Sequence, residues 1–214
     1  MTILDQQNKK SNSPLFLIDG SSYIYRAYFG IRQPLTTHDG FPTKVIYGLT
    51  NMLWKVLKEK DPEYVAIVWD AKGPTFRHDL YADYKANRPA MPDDMSVQIP
   101  HVREIVNALG LTQLEKTGYE ADDIIAALAR RLTDQTIIIV SGDKDLLQLI
   151  GPQVSIWDSM KDEITDLDAF HQRFGLEPLQ FLDVLTLTGD TSDNIPGVPG
   201  IGSVSYTHLR AHET

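Results

Sequence analysis

Residues 15–20 read Leu-Phe-Leu-Ile-Asp-Gly, four apolar side chains followed by an acid and a glycine. A short apolar run that ends at a turn residue is typical of a strand buried on both faces of a sheet. The pattern returns in residues 64–70, Tyr-Val-Ala-Ile-Val-Trp-Asp, and in residues 136–143, Thr-Ile-Ile-Ile-Val-Ser-Gly-Asp. The sequence therefore predicts three buried strands, each with an aspartate at or just beyond its end.

Predicted helices alternate with these strands. Helices are predicted over residues 45–60, 97–109, 120–132, 143–150, 166–174 and 178–187, and weaker strands over 154–157 and 163–165. Residues 74–85 are polar, aromatic and basic, and are predicted to form a helix outside the core. Alternating strands and helices predict an α/β fold, a mostly parallel sheet with helices on both faces.

Length and composition restrict the class of protein. A chain of 214 residues suffices for one α/β domain with a small appendage, and the lack of cysteine excludes disulfides and thiolate metal sites. Residues 1–13 are polar, without the apolar core of a signal peptide, and are expected to be a disordered N-terminal segment. No apolar run approaches the ~20 residues that cross a bilayer. We therefore expect a cytoplasmic protein with no membrane partner.

The net charge of −9 argues at first against a nucleic-acid partner. The objection depends on where the acids lie, because without the nine acids in short motifs the rest of the chain is neutral. These nine are Asp19, Asp70, Glu120, Asp122, Asp123, Asp143, Asp145, Asp190 and Asp193. An acidic site that carries divalent cations can accept a phosphate that the bare site would repel.

The positions of these acids predict a metal site. One acid after a strand usually caps the next helix, but three at the same edge of a parallel sheet are expected to face one crevice. Glu120, Asp122 and Asp123 would lie within one helical turn and repel each other unless a cation neutralises them. Carboxylates without histidine or cysteine favour Mg²⁺ or Mn²⁺ over zinc. No segment has the ligand spacing of an EF-hand loop.

The basic and aromatic segment 76–88 is a candidate for binding phosphate. Helical spacing would place its cations and tyrosines along one broad face: Arg77, Tyr81, Tyr84, Lys85 and Arg88. The cations would contact phosphate oxygens, and the rings would stack on exposed bases. The alternative is a solvated helix whose tyrosines pack on the domain.

Seven short motifs, in this order, resemble one known family. They are LIDGSS (17–22), VWDAKG (68–73), FR (76–77), YKANR (84–88), GYEADD (118–123), SGDKD (141–145) and TGDTSDNIPGVPGIG (188–202). Together they are similar to the 5′-nuclease (flap endonuclease) superfamily, and within it to the N-terminal 5′–3′ exonuclease domain of bacterial DNA polymerase I.

The resemblance implies a PIN-like catalytic domain over residues 14–187 with a helical gateway. It implies a site for two or more Mg²⁺ or Mn²⁺ ions that hydrolyses DNA near 5′ ends, at flaps, nicks or 5′-ended duplexes, in replication and repair. The first five acids would bind the more tightly held metal, and the last four the rest of the site. Lys85 and Arg88 would act at the scissile phosphate. Asp70 and Asp123 would also be catalytic residues.

The resemblance further implies that residues 188–202 begin a helix–hairpin–helix element. Its Gly197, Val198, Gly200 and Gly202 would grip duplex phosphates through backbone amides. Residues 203–214 depart from the family pattern and look like a translated sequencing adapter, so we expect a truncated element with a non-native tail. The intact protein is expected to carry a polymerase domain, and this chain is expected to be a monomer.

Two other functions stay open at this point. A PIN-type ribonuclease would share the core and the metal chemistry, although the 197–202 hairpin signature favours DNA. A structure-specific DNA-binding module without catalysis is the second alternative. The complete set of acids favours an enzyme, while the truncation leaves room for an inactive fragment.

Overall fold

A computed structural model of the chain describes residues 13–202, which form one six-stranded sheet with the strand order β3-β2-β1-β4-β5-β6. The strands are β1 (Leu15–Asp19), β2 (Tyr64–Val68), β3 (Thr112–Leu114), β4 (Ile137–Val140), β5 (Val154–Asp158) and β6 (Glu163–Thr165). All neighbouring pairs are parallel except β5 and β6, which are antiparallel. The predicted mostly parallel sheet is confirmed.

Helices flank the sheet. They are α1 (Gly20–Gly30), α2 (Lys44–Lys60), α3 (Phe76–Leu80), α4 (Asp93–Ser96), α5 (Ile99–Ala108), α6 (Ala121–Arg131), α7 (Leu167–Phe174) and α8 (Gln180–Thr188), and residues Lys144–Leu149 form a 3₁₀ helix. Between residues 13 and 202, none of these helices is both long enough and apolar enough to traverse a bilayer.

The ends of the chain bear on two predictions. Residues 1–12 and 203–214, which hold most of the predicted N-terminal segment and the predicted tail, lie outside the described residues. Ser13 is described, and its hydroxyl donates to Glu63 at 2.6 Å. Helix α8 ends at Thr188, beside the predicted boundary, and the hairpin element over 188–202 stays a prediction.

Strand β1 divides the core into two layers. Phe16 and Ile18 pack into one cluster with α1, α2 and α5, whereas Leu17 packs into the other with α6, α7 and α8. All three side chains are at most 3% exposed. Burial of each such side chain stabilises the fold by about 1.5–3 kcal/mol. A strand with helices on both faces needs apolar residues at every position, which is why 15–18 is a continuous apolar run.

The sequence analysis missed helix α1. Its apolar residues do not form one stripe, because Tyr23 faces the core while Tyr25 and Phe29 are 42% and 66% exposed. The helix is instead started by Asp19, whose carboxylate accepts the Ser22 backbone N–H at 2.9 Å. Such N-caps stabilise a helix start by about 1 kcal/mol. Strand β3 and helix α4 were also not predicted.

The prediction of a helix over 74–85 is wrong beyond residue 80. Helix α3 ends at Leu80 because Tyr81 takes an extended conformation, with φ of −146°. The chain then turns, and Lys85 has a left-handed φ of 57°. The predicted common helical face of Arg77, Tyr84 and Arg88 therefore does not exist, and any convergence of these residues must come from the turns.

We expect Gly20→Ala to destabilise the fold, because α1 begins against the sheet at Gly20. A Cβ there would lie 2.5 Å from the Trp69 ring and 2.6 Å from the Ile67 side chain. The ring cannot move away easily, since it is buried and its Nε1–H donates to Gln113 at 3.0 Å. Overpacking of this kind costs about 1–3 kcal/mol, which urea unfolding would measure.

The matched control is Gly151→Ala, where no atom lies within 4 Å of the new Cβ. Its unfolding free energy should stay within ~0.5 kcal/mol of the parent chain. Equal stabilities for the two variants would contradict the proposed close packing of α1 on the sheet.

Candidate metal centre

The central strands bring three predicted acids to one edge of the sheet. Strands β2, β1 and β4 are neighbours and parallel, and Asp19, Asp70 and Asp143 lie at or just after their carboxyl ends. One cleft, which we call the acidic cleft, is lined by eight of the nine predicted acids: Asp19, Asp70, Glu120, Asp122, Asp143, Asp145, Asp190 and Asp193. The ninth, Asp123, lines an adjoining cleft instead.

Asp19 lies at the bottom of the acidic cleft and is 3% exposed. One carboxylate oxygen accepts the Ser22 backbone N–H, and the other accepts the Ser141 hydroxyl at 2.9 Å. Burial raises the pKa of Asp19 to about 6 despite these two hydrogen bonds. The two hydrogen bonds thus fix the carboxylate in a buried position where its negative charge is unfavourable.

Asp122, in the first turn of α6, is the most strongly perturbed acid. Burial, followed by the charges of Asp19 and Asp143, raises the pKa of Asp122 to about 8. Asp70 adds to the repulsion, and one oxygen of its carboxylate accepts the Ala121 backbone N–H at 2.7 Å. The charges of Asp19, Asp70 and Asp143 therefore all act on the Asp122 carboxylate. A divalent cation among them would relieve the repulsion.

The loop after β4 carries Asp143 and Asp145. Asp143 caps the 3₁₀ helix by accepting the Asp145 backbone N–H at 2.9 Å. Burial, and then the charge of Asp143, raises the pKa of Asp145 to about 6. The Oδ1 atom of Asp145 is buried without a hydrogen-bond partner in the described part of the chain. An orphaned buried carboxylate oxygen is unusual in a native protein and indicates a ligand.

The loop after α8 closes the cleft with Asp190 and Asp193. Although burial works in the opposite direction, hydrogen bonds from Ser192 and Lys144 lower the pKa of Asp190 to about 2. Lys144 Nζ lies 3.1 Å from Asp190. The loop is closed by a backbone pairing of Asp190 with Ile195. Gly189 and Gly197 are in close contact there, since a Cβ on Gly189 would lie 2.3 Å from the Gly197 backbone nitrogen.

Asp123 does not line the acidic cleft, although it shares the adjoining cleft with five of the other acids. Both of its oxygens accept hydrogen bonds from the Arg77 guanidinium at 2.8 Å, and Oδ2 also accepts the Glu120 backbone N–H at 2.9 Å. Although burial opposes it, this pairing with Arg77 lowers the pKa of Asp123. Its role as a metal ligand stays a prediction, and the geometry gives Asp123 a clear second task, which is to fix Arg77 and the start of α6.

Lys85 and Arg88 both pair with acids of the site, although no helix places them there, and their action at a scissile phosphate stays a prediction. Lys85 Nζ lies 2.6 Å from Glu120 and 3.8 Å from Asp193, and Arg88 pairs with the other oxygen of Asp193. Both line the acidic cleft. Two cationic side chains therefore lie in the same cleft as the eight carboxylates.

Hydrogen bonds that the sequence analysis did not foresee hold these cations in place. The turn over residues 81–88 is tied to the 190–194 loop by the Lys85 backbone N–H to the Asp193 carbonyl, by Asn87 to the Thr191 carbonyl and by Asn194 to the Asp83 carbonyl. Asn87 and Asn194 both lie within the quoted motifs, which is the signal that could have identified them. These three hydrogen bonds join the 81–88 turn to the 190–194 loop.

A second support missed from sequence lies beneath the β4 loop. Arg26 donates to Asp158 at 2.8 Å, and its guanidinium occupies the space that a side chain on residue 142 would need. A Cβ on Gly142 would lie 1.5 Å from Arg26 Nη2. The glycine of the motif at 141–145 is therefore required for packing on Arg26, next to Asp143.

The two tyrosines predicted to stack on bases do not share one role. Tyr84 is 5% exposed, so the prediction that its ring stacks on an exposed base is wrong. Its hydroxyl instead lies 2.9 Å from Glu120 and 3.0 Å from Asp193, and burial followed by these charges raises its pKa. Tyr81 is 39% exposed and lines neither cleft.

The glycine-rich segment 197–202 follows the acidic loop. The Val198 backbone N–H donates to the Leu187 carbonyl at 2.8 Å, so the prediction that this amide grips a phosphate is wrong. The Val198 side chain is 43% exposed and stays available. Gly200 has a left-handed φ of 86°. Contacts of Gly197, Gly200 and Gly202 with DNA stay predictions.

The acids fit a hard divalent cation in their chemistry. Over residues 13–202, no three histidine or carboxylate side chains already stand where they could share one ion. The donors are nevertheless all carboxylate oxygens, the set that Mg²⁺ and Mn²⁺ prefer. The raised pKa values and the orphaned oxygen of Asp145 show where positive charge would be most favourable. The carboxylates must approach each other for several of them to hold one ion.

The fold and the acidic edge of the sheet together define a PIN-like domain. Residues 14–175 match the family described as "5'-3' exonuclease, N-terminal resolvase-like domain". The chain belongs to this family.

Curated relatives and solved structures agree with this membership. DNA polymerase I of Pseudomonas aeruginosa is 47% identical over 194 residues, which are 90% of this chain and 21% of that protein. A 5′–3′ exonuclease of Aquifex aeolicus is 44% identical over 190 residues, 88% of this chain and 65% of that protein. The chain thus spans about a fifth of the first relative and about two thirds of the second.

Two solved structures share the fold. The T5 D15 protein co-crystallised with metal ions superposes with a TM-score of 0.72 at 19% identity, over 92% of this chain and 75% of that one. The catalytic core of Rad2 in complex with DNA substrate gives 0.61 at 21% identity, over 94% and 61%. At these identities the likeness establishes the fold alone.

We expect Asp122→Asn to stabilise the metal-free protein, and more at pH 8 than at pH 5. The pKa of Asp122 rises from 3.8 to about 8 on folding, so the folded protein holds a proton that the unfolded chain releases. Stability is therefore lost as the pH rises from 3.8 through about 8. Urea unfolding in EDTA should show a difference between the two pH values on the order of 1–3 kcal/mol.

The same experiment has an internal control. Asp183→Asn removes an exposed acid on α8 that lines neither cleft, and should change stability equally at both pH values. Added Mg²⁺ should stabilise the parent chain more than Asp122→Asn. Equal pH dependence in the parent and in Asp122→Asn would show that Asp122 is not in a crowded anionic site.

Proposed function

We propose that this chain is the nuclease part of a divalent-metal-dependent 5′–3′ exonuclease and flap endonuclease. It would hydrolyse DNA phosphodiesters near 5′ ends, at flaps, nicks or 5′-ended duplexes, as a monomer in the cytoplasm. The observation that carries the proposal is the convergence of eight acids with Lys85 and Arg88 in one cleft at the carboxyl edge of the sheet. Family membership, and solved relatives described as complexes with DNA and metal ions, support it.

The acids would form two groups around Mg²⁺ or Mn²⁺. Asp19, Asp70 and Asp122, whose charges interact, would hold the more tightly bound ion together with Glu120 and Asp123. Asp143, Asp145, Asp190 and Asp193 would form the rest of the site, and the charges of the other three act on Asp145. When bound, such ions supply Lewis-acid stabilisation of the phosphoryl oxygens and a more acidic water.

Lys85 and Arg88 would bind the phosphate that enters the cleft. An arginine fork matches two phosphate oxygens, and lysine adds a compact charge, so together they stabilise charge that develops during displacement. Both now pair with Glu120 and Asp193. Glu120 and Asp193 are also candidate metal ligands, so the same two acids would hold both the ion and the phosphate-binding cations in place.

Three sets of contacts would position these groups. Arg77 is locked by Asp123, and Tyr84 lies between Glu120 and Asp193. The tie from Lys85 to Asp193 couples the cationic turn to the acidic loop. Because misplacement by 1 Å can reduce a rate about 10²-fold, we expect these contacts to affect turnover more than binding.

Cleavage of a 5′-labelled flap duplex tests the proposal directly. We expect cutting with Mg²⁺, none with EDTA, and none from Asp70→Ala, which removes a candidate ligand. Lys85→Ala should lower kcat by about 10²–10³-fold, as loss of one charge-stabilising group does. Lys58→Ala is the control, since it removes an exposed lysine on α2 outside the cleft.

The outcomes separate the alternatives. Preferential cutting of single-stranded RNA would favour a PIN-type ribonuclease. Flap binding without metal-dependent cutting, from a protein shown to be folded, would favour a DNA-binding module. Undiminished cutting by Asp70→Ala would overturn the assignment of the metal site.

A further inference from the structure

Two exposed aromatic side chains directly precede residues that line the clefts, although they line neither cleft themselves, and they have no part in the mechanism above. Phe76 and Tyr119 are each 41% exposed, and their ring centroids are 5.7 Å apart with planes tilted by 51°. We call this pair the aromatic platform. Rings that merely closed a small core would be covered, whereas these two present much of their surface to solvent.

The backbone fixes the platform close to the metal centre. Phe76 opens α3, and its backbone N–H donates to the Gly118 carbonyl at 3.2 Å. Each ring adjoins a residue of the adjoining cleft: Phe76 precedes Arg77, and Tyr119 precedes Glu120. The bidentate bond from Arg77 to Asp123 then ties the two segments together. Hydrogen bonds therefore join the two segments that carry the platform, and Tyr119 directly precedes the acid Glu120.

Cations accompany both rings. The Arg77 guanidinium lies 4.7 Å from the Phe76 centroid, and Lys116 Nζ lies 4.8 Å from the Tyr119 centroid. The charge of Arg77 is balanced by Asp123, whereas Lys116 is exposed and forms no ion pair with any residue from 13 to 202. The Lys116 ammonium is therefore the cation of the pair whose charge is not balanced by an acid in the described part of the chain.

We propose that the aromatic platform, with Lys116, binds unpaired bases of the DNA strand that continues away from the metal centre. This proposal rests on the proposed function. Exposed rings stack on any base, and a neighbouring lysine contacts the backbone phosphate, which is how sequence-tolerant single-strand sites are built. Bases inside a duplex are covered above and below by their neighbours. The platform therefore selects single-stranded flaps and contributes nothing to an intact nick.

Fluorescence anisotropy in EDTA tests the platform without cleavage. The probes are a nicked duplex and the same duplex with a single-stranded 5′ flap. Tyr119→Leu keeps an apolar side chain but removes the stacking face, and should weaken flap binding about tenfold, or about 1.4 kcal/mol, with the nicked duplex unchanged. Tyr119→Trp should restore flap binding. Phe76→Leu should act in the same direction.

The controls distinguish the possible failures. Trp54→Leu alters a ring on α2 that is 61% exposed, and should leave both affinities unchanged. Thermal unfolding checks that the Leu variants are folded. If Phe76→Leu is unstable, the affinities of Tyr119→Leu alone test the proposal. Unchanged flap affinity in Tyr119→Leu, or equal losses on both probes, would overturn the platform. Failure of the parent chain to bind the flap probe in EDTA would also overturn the platform, whereas the proposed function fails only if the parent chain does not cut the flap with Mg²⁺.

Discussion

Repulsion among carboxylates at one edge of the sheet is the constraint on which the rest of the structure depends. Three parallel strands deliver Asp19, Asp70 and Asp143 to the same place, and α6 adds Asp122. Burial, and then the charges of the neighbouring acids, raises the pKa of Asp122 to about 8, so its negative charge is unfavourable there without a cation. A sheet optimised for stability alone would not collect these groups, so their convergence indicates function.

Much of the surrounding structure offsets this repulsion. Three of the acids form an ion pair with a cation from another segment: Glu120 with Lys85, Asp190 with Lys144, and Asp123 with Arg77. Because the partners come from separate segments, the contacts also fix those segments against each other. The same ion pairs thus offset the repulsion among the acids and position the candidate phosphate-binding cations.

Local sequence determines some of this and leaves the rest undetermined. The strand at 15–19 is predictable because burial on both faces requires an uninterrupted apolar run. Helix α1 is not, because its apolar residues surround the helix and Tyr25 faces solvent. The turn at Lys85 depends on a hydrogen bond to the distant Asp193 carbonyl, which no local pattern encodes. The acids could be named from their motifs, but the separate pairing of Asp123 with Arg77 could not.

The buried hydroxyl of Tyr84 shows how tightly the two halves of the site are coupled. It lies within hydrogen-bond distance of Glu120 at the start of α6 and of Asp193 in the loop after α8. One hydroxyl proton cannot fully satisfy two carboxylates, so any movement of either acid changes the balance at the other. The Lys85 backbone N–H donates to the Asp193 carbonyl as well, so a shift of Asp193 also reaches the turn that carries Lys85 and Arg88. The phenol and this hydrogen bond together couple the two acidic segments to the two candidate phosphate-binding cations.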